Sequence, residues 1–344
     1  MNLKTYDFLE KHPKINYLQK CIRRIGNPKW VNSVLDIDNN PLLFQMENRG
    51  EEYKGKIICH IKIENRTRSG FFALLNSVLN GMYGIDRLGF IPYVEYDGNT
   101  CYSEDEPVNG TMNAYEYYFV QYGGLERDKV NSACCVAAYE PRNARVWPGI
   151  KSGYAQNPER ICELSRIYGK YIHLNDATAE YINSGISDKI KGKTLGIHVR
   201  ATDFITSRDV NHPVGVGYEH HMTAAEKILN TGDFDRIFLA TDDAGVVDEF
   251  KKKFGDMVVY YDDINRSSDG KCIHHGAGNR AMNKYLNGLE VLRDVYTLAN
   301  CSGLIAGLSM VSFFARIINK SLEKDYGIVE IIDKGINQSG KRAR

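Results

Sequence analysis

The 344-residue sequence predicts an α/β protein built from two units that face a cleft. Three observations lead there. The chain is longer than the ~100–200 residues that one hydrophobic core usually serves. In its second half, short β-rich runs alternate with segments of helical period, the rhythm that a parallel sheet requires. In its first half, two strand-like runs flank one helical run, as in a βαβ unit. Hydrophobic residues make up 43% and charged residues 25%, so the chain can bury a large core and is not compositionally disordered.

In chain order, residues 56–63 read as a strand, 71–83 as a helix and 90–96 as a second strand. Residues 100–153 are rich in Tyr, Asn, Gly and Glu and predict loops and short helices. Residues 159–174 and 175–189 carry helical periodicity. The step Lys191-Gly192-Lys193 is the best linker, dividing the chain into a domain at 1–190 and another at 191–344. Beyond it, strands are expected at 194–199, 236–241, 257–261, 303–306 and 327–332. Helices are expected at 219–229, 244–254, 284–300 and 309–319, where apolar residues recur at spacings of three and four. That alternation is a doubly wound domain.

Lys and Arg total 44 against 43 Asp and Glu, so no broad positive field draws in nucleic acid or anionic lipid, and any anion site is local. Apolar stretches such as 71–79 are interrupted by Asn or Gly and fall short of the ~20 residues of a membrane span, so no transmembrane segment is expected. Residues 1–14 lack the apolar core of a signal peptide. A cytoplasmic protein follows, with peripheral attachment at an inner membrane left open, since Lys341, Arg342 and Arg344 are too few to decide it. Eight cysteines without a C-x-x-C pair read as reduced thiols.

Four constellations carry chemistry. In Gly196-Ile197-His198-Val199-Arg200-Ala201-Thr202-Asp203, an apolar strand runs straight into His, Arg and Asp. Ligands of open α/β sheets bind beyond the carboxyl ends of the strands, where Arg200 emerges. Its planar fork suits a pyrophosphate and can offset charge on a departing nucleoside diphosphate; an interdomain salt bridge is the plainer alternative. His198 is either a hydrogen-bonded core histidine or a ligand contact. In Phe238-Leu239-Ala240-Thr241-Asp242-Asp243, one carboxylate can cap the next helix, or it can accept hydrogen bonds from a base or ribose.

Leu304-Ile305-Ala306-Gly307-Leu308-Ser309 leaves backbone N–H groups at a helix N-terminus, where anions are favoured, and Ser309 can cap, touch phosphate or do both. Asp294, one helix earlier, lies either on a solvated face or against a base edge. Asn65-Arg66-Thr67-Arg68-Ser69-Gly70 opens a helix of the first domain; Gly70 would allow close approach of a ligand, or it is a simple turn. Trp147-Pro148-Gly149 could line a sugar site by stacking. Cys272 with His274-His275 is a poor metal set, because adjacent histidines point apart in a strand-like segment.

Together these residues resemble the fucosyltransferase superfamily, which includes α-1,6-fucosyltransferases, the rhizobial nodulation fucosyltransferase and protein O-fucosyltransferases. His198-Val199-Arg200-Ala201-Thr202-Asp203 is similar to its His-x-Arg-x-x-Asp block, Ala240-Thr241-Asp242-Asp243 to its second block, and the stretch from Asp294 to Ser309 to its third. Gly70 followed by Leu88-Gly89-Phe90-Ile91-Pro92 is similar to its glycine-loop region, so the resemblance covers roughly residues 57–95 and 194–320. It implies a GT-B type fold of two Rossmann-like domains, a GDP-sugar donor, GDP-fucose first, held by the C-terminal domain, a glycan or glycoconjugate acceptor, and inverting transfer without a metal or other cofactor.

By the same resemblance Arg200 holds the β-phosphate, Asp294 and His198 meet guanine or ribose, and Ser309 completes the phosphate cradle. Asp209 is the expected base for the acceptor hydroxyl and Asp203 the runner-up, more suited to bracing Arg200. Two departures stand out: α-1,6 enzymes often carry a second Arg where this chain has Ala201, and a Lys where it has Phe204. Linkage and acceptor are therefore not implied. A transferase using another nucleotide sugar, a non-catalytic nucleotide- or glycan-binding protein, and a metal-dependent hydrolase built on Asp242, Asp243 and the histidines are the alternatives.

Overall fold

The computed structural model describes residues 44–86, 88–139, 157–202, 212–267 and 280–337, together with His12, Ile15 and Ser33–Val34. Trp147, Asp203, Phe204, Asp209, Cys272, His274, His275 and the C-terminal basic residues lie outside these. The class is α/β, with two five-stranded sheets, as the GT-B type implies.

The first sheet has the order β1-β2-β6-β3-β4, from strands β1 (Ser33–Val34), β2 (Phe44–Glu47), β3 (Ile58–Ile63), β4 (Ile91–Tyr96) and β6 (Val136–Tyr139). Strand β5 (Phe119–Val120) pairs instead with β7 (His173–Leu174) in a separate ribbon. Helix α1 (Phe71–Asp86) crosses between β3 and β4, which are parallel, so the expected βαβ unit is present. Strand β6 is the unexpected element. It lies in the stretch expected to be loops, yet it joins β3 in parallel and β2 antiparallel, and so closes the middle of the sheet. The sheet is mixed, unlike the second. A short helix, α2 (Arg127–Asn131), precedes β6, and α3 (Pro158–Tyr171) and α4 (Asp176–Lys189) follow, each opened by an Asn that accepts a backbone N–H.

The second sheet is parallel throughout, in the order β10-β9-β8-β11-β12: β8 (Thr194–Val199), β9 (Arg236–Thr241), β10 (Val258–Val259), β11 (Gly303–Gly307) and β12 (Ile328–Ile332). Helices α5 (Tyr218–Leu229), α6 (Ala244–Phe254), α7 (Asn283–Ala299) and α8 (Met310–Ser321) connect them. Strand β8 is central and buried along its whole length, as its apolar run anticipates. Strand β10 is shorter than expected, because Gly255–Met257 winds into a 3₁₀ turn first. The chain adds β9 and β10 on one side of β8, then β11 and β12 on the other. The order therefore reverses between β8 and β11, and a crevice opens at their carboxyl ends.

The two sheets share one core. Helix α3 packs on α8 and α4 on α7, and the Phe72 and Tyr168 rings lie 4.9 and 6.2 Å from Phe314. Gly288 of α7 meets Tyr118, whose hydroxyl donates to the Tyr285 carbonyl at 2.9 Å; a Cβ at 288 would sit 2.2 Å from that oxygen, so only glycine fits. Helix α7 also takes its N-terminal partner from the first half. Met282 before it is left-handed and supplies no cap, whereas Glu104 accepts the Tyr285 N–H at 2.8 Å.

Cys59, Cys101, Cys134, Cys135, Cys162 and Cys301 are free thiols. Among the described residues, no helix is long and apolar enough to cross a membrane.

Candidate functional site

The reversal between β8 and β11 places His198 beside Ser309, with Arg200 two residues further along the chain. The Ser309 hydroxyl stands 3.3 Å from His198 Nδ1 and also accepts the Ser312 N–H at 3.1 Å, with Ser312 reciprocating in a capping box. Ser309 is thus the N-cap of α8 and a neighbour of the β8 histidine. Burial pushes the His198 pKa down to about 3, with Arg200 and His221 adding repulsion, so the ring is neutral at physiological pH.

Arg200 leaves the sheet at the next turn and pairs with a carboxylate of its own half. Its Nε lies 3.3 Å from Asp242 Oδ2. Asp242 also accepts the Ala201 N–H at 2.9 Å and the Thr202 hydroxyl at 2.7 Å, so one carboxylate fixes the three residues that follow β8. Asp243 takes the capping role: its Oδ1 accepts from the N–H groups of Gly245 and Val246 at 2.8 and 3.2 Å. The paired aspartates divide, one holding the arginine loop and the other the helix.

Asp294 does not lie on a solvated face. It is 9% exposed, and its Oδ1 is buried with no hydrogen-bond partner. Burial pushes its pKa up to about 7, against the pull of Arg266 and Arg293. His198, Arg200, Thr241, Asp242, Asn287, Glu290 and Asp294 line one cavity of about 110 Å³, and Tyr102 of the first half closes it. The Tyr102 hydroxyl accepts the Phe71 N–H at 2.8 Å, which brings the start of α1, and Gly70 beside it, to the same cleft. A Cβ at Gly70 would meet nothing within 4 Å, so neither packing nor backbone strain demands glycine there.

The sequence reading passes over Tyr102, Asn287, Glu290 and Arg266. Asn287 and Glu290 stand seven and four residues before Asp294, one or two turns along the same helix face, and that spacing is a signal available in the sequence. Tyr102 comes from a loop and carries none. Arg280 donates to Asn283, Asn287 and both Glu290 oxygens, tying the approach to α7 onto its first turns. Among the described residues, no three His, Cys, Asp or Glu side chains gather into a metal site.

Residues 167–317 match the family model of alpha-(1,6)-fucosyltransferase N- and catalytic domains, a stretch that contains every site residue of the second sheet. No curated protein matches the chain. Among solved structures, the NodZ alpha-1,6-fucosyltransferase soaked with GDP-fucose is 18% identical over 76% of this chain and 92% of its own, with a TM-score of 0.46. Fucosyltransferase NodZ from Bradyrhizobium is 18% identical over 77% and 92%, with a TM-score of 0.43. POFUT1 in complex with GDP is 9% identical over 83% and 98%, with a TM-score of 0.44. The segment that builds the cleft, residues 167–317, is thus similar to the alpha-(1,6)-fucosyltransferases.

Proposed function

We propose that the chain is an inverting, metal-independent transferase that moves fucose from GDP-fucose to a hydroxyl of a glycan acceptor. The observation that carries the reading is Arg200, braced by Asp242 at the switch point of a parallel sheet, two residues beyond the His198 that meets the Ser309 helix N-terminus. A guanidinium and a helix N-terminus on one crevice suit a diphosphate. In this reading Arg200 and Ser309 take the phosphates, His198 and Asp294 take ribose or base, and Gly70 leaves room at the sugar end. The donor pocket falls in residues 191–344 and the acceptor surface in 1–190.

The acceptor oxygen attacks the anomeric carbon as the bond from that carbon to the β-phosphate oxygen breaks, and the configuration inverts. GDP leaves with the bonding pair, and Arg200 offsets the charge that gathers on it. The acceptor proton passes to a base, for which Asp209 is the choice and Asp203 the second.

The test is calorimetric titration of the wild type and Arg200→Ala with GDP, UDP and dTDP in the presence of a chelator. GDP alone should bind the wild type, and Arg200→Ala should weaken it by about 100-fold, as expected for a charged bidentate contact. Binding of UDP or dTDP in place of GDP would remove fucose from the reading. Asp209→Asn should abolish most turnover with GDP affinity kept.

A further inference from the structure

One guanidinium that acts on Asp294 from behind the cavity lining has no part in the reading above. The loop after β10 lines the cavity with Ile264 and Asn265. The Asn265 N–H points to Glu290 Oε2 at 3.4 Å. Ser267 is stitched to the end of β9, its N–H donating to the Asp242 carbonyl at 2.9 Å and its own carbonyl accepting from Ala244 at 3.0 Å. Arg266 is therefore pinned between two residues, each tied to a wall of the cavity. Its guanidinium lies 5.1 Å from the centre of the Tyr260 ring, and its Nε and Nη2 are buried with no hydrogen-bond partner.

Asp294 is in the same condition, with Oδ1 buried and unpartnered. Arg266 is the foremost positive influence on Asp294, and Asp294 the foremost negative influence on Arg266. Yet among the described residues no ion pair within 4.0 Å joins them. Two opposite charges that share a desolvated site without touching lose hydration twice and recover only part of their attraction. A ligand that offers acceptors to the arginine and donors to the carboxylate satisfies both. Among nucleobases guanine has that arrangement: O6 and N7 accept on one edge, and N1–H with the 2-amino group donates on the next. Adenine places an amino donor where guanine has O6, which an arginine rejects.

We propose that Arg266 is a base-specificity residue, donating to the O6/N7 edge of guanine while Asp294 accepts from the neighbouring donors. The assignment rests on the nucleotide reading of the cleft. Tyr260 holds the guanidinium plane, and the ties of Asn265 and Ser267 set its position before the base arrives.

The test is titration of the wild type, Arg266→Ala and Arg266→Lys with GDP, ADP and 7-deaza-GDP, in which a C–H replaces N7. The wild type should bind GDP about tenfold more tightly than 7-deaza-GDP, the scale of a hydrogen bond to a charged donor. Arg266→Ala should bind those two alike and lose about tenfold of its preference for GDP over ADP, and Arg266→Lys should keep part of it. Equal binding of GDP and 7-deaza-GDP by the wild type overturns the assignment and leaves the donor site standing. So does an unchanged GDP-to-ADP ratio in Arg266→Ala. A wild type that binds no nucleoside diphosphate overturns both. The wild-type comparison needs no variant, so a folding defect in Arg266→Ala leaves the test intact.

Discussion

The two sheets treat their polar groups differently. On the first, the charges close among themselves: Arg49 donates to His60 Nδ1 at 3.1 Å, His60 Nε2–H donates to Glu95 at 2.8 Å, and Arg127 meets the other Glu95 oxygen at 3.0 Å. Those partners hold the Glu95 carboxyl below its ordinary range, His60 foremost. At the crevice of the second sheet, Asp294 and Arg266 keep buried atoms without partners, and burial drives the Asp294 pKa upward. A saturated network stabilises the fold; an unsaturated one at a strand-end crevice is where a ligand completes the pairing.

The largest expected effect tests whether the sheets are independent at all. Phe314 of the second half is fully buried against Phe72 and Tyr168 of the first, so Phe314→Ala should cost about 3–5 kcal/mol and lower a single shared transition. Two separated melting steps with only one displaced would break the picture of a common core. Glu95→Gln comes next: it should lose about 1–3 kcal/mol of stability, since it leaves His60 and Arg127 short of a charge, with GDP affinity unchanged. Arg200→Ala is its mirror image. A tenfold loss of GDP affinity in Glu95→Gln would erase the distinction between the sheets.

The pH dependence sharpens the contrast further. With a folded pKa near 7 against 3.8 unfolded, Asp294 binds its proton more tightly in the native state, so its contribution to stability is whole below 3.8 and falls as pH rises toward 7. Asp294→Asn should therefore be about 2 kcal/mol more stable than wild type above pH 7, with the difference fading toward pH 4. Denaturant melts across that range give the answer, and a gap independent of pH would refute it. His198 and His221 act with the opposite sign. Their pKa values are pushed down to about 3 and about 4, so stability is lost as pH falls below 6.5. The smallest effect belongs to Gly70→Ala, which should stay within about 0.5 kcal/mol of wild type because its Cβ enters open space. Weaker GDP binding at unchanged stability would place the ligand against the start of α1.

Strands β8 and β9 and helix α6 were legible to the residue, because each is an uninterrupted local pattern with a polar block at its end. Strand β6 was not. Val136–Tyr139 is four residues long, and what makes it a strand is pairing with β2 and β3, distant in sequence. The site divides in the same way. His198, Arg200, Asp242 and Ser309 follow from a rule about strand ends, whereas the unpartnered state of Asp294 depends on how α7 packs. Arg266 follows a two-residue strand in a loop whose path is set by backbone bonds to Asp242 and Ala244, and composition carries no trace of those.

The packing of α3 and α4 against α7 and α8 bears on how the chain is made. The first pair leaves the ribosome with the faces meant for α7 and α8 bare, because those helices are encoded far downstream. At ~5–20 residues per second the interval is on the order of ten seconds. For that time the nascent chain presents the apolar surface that α7 and α8 will cover, while only α1 is there to pack on α3. A chaperone that binds exposed apolar helices during synthesis would therefore meet this protein at residues 158–189.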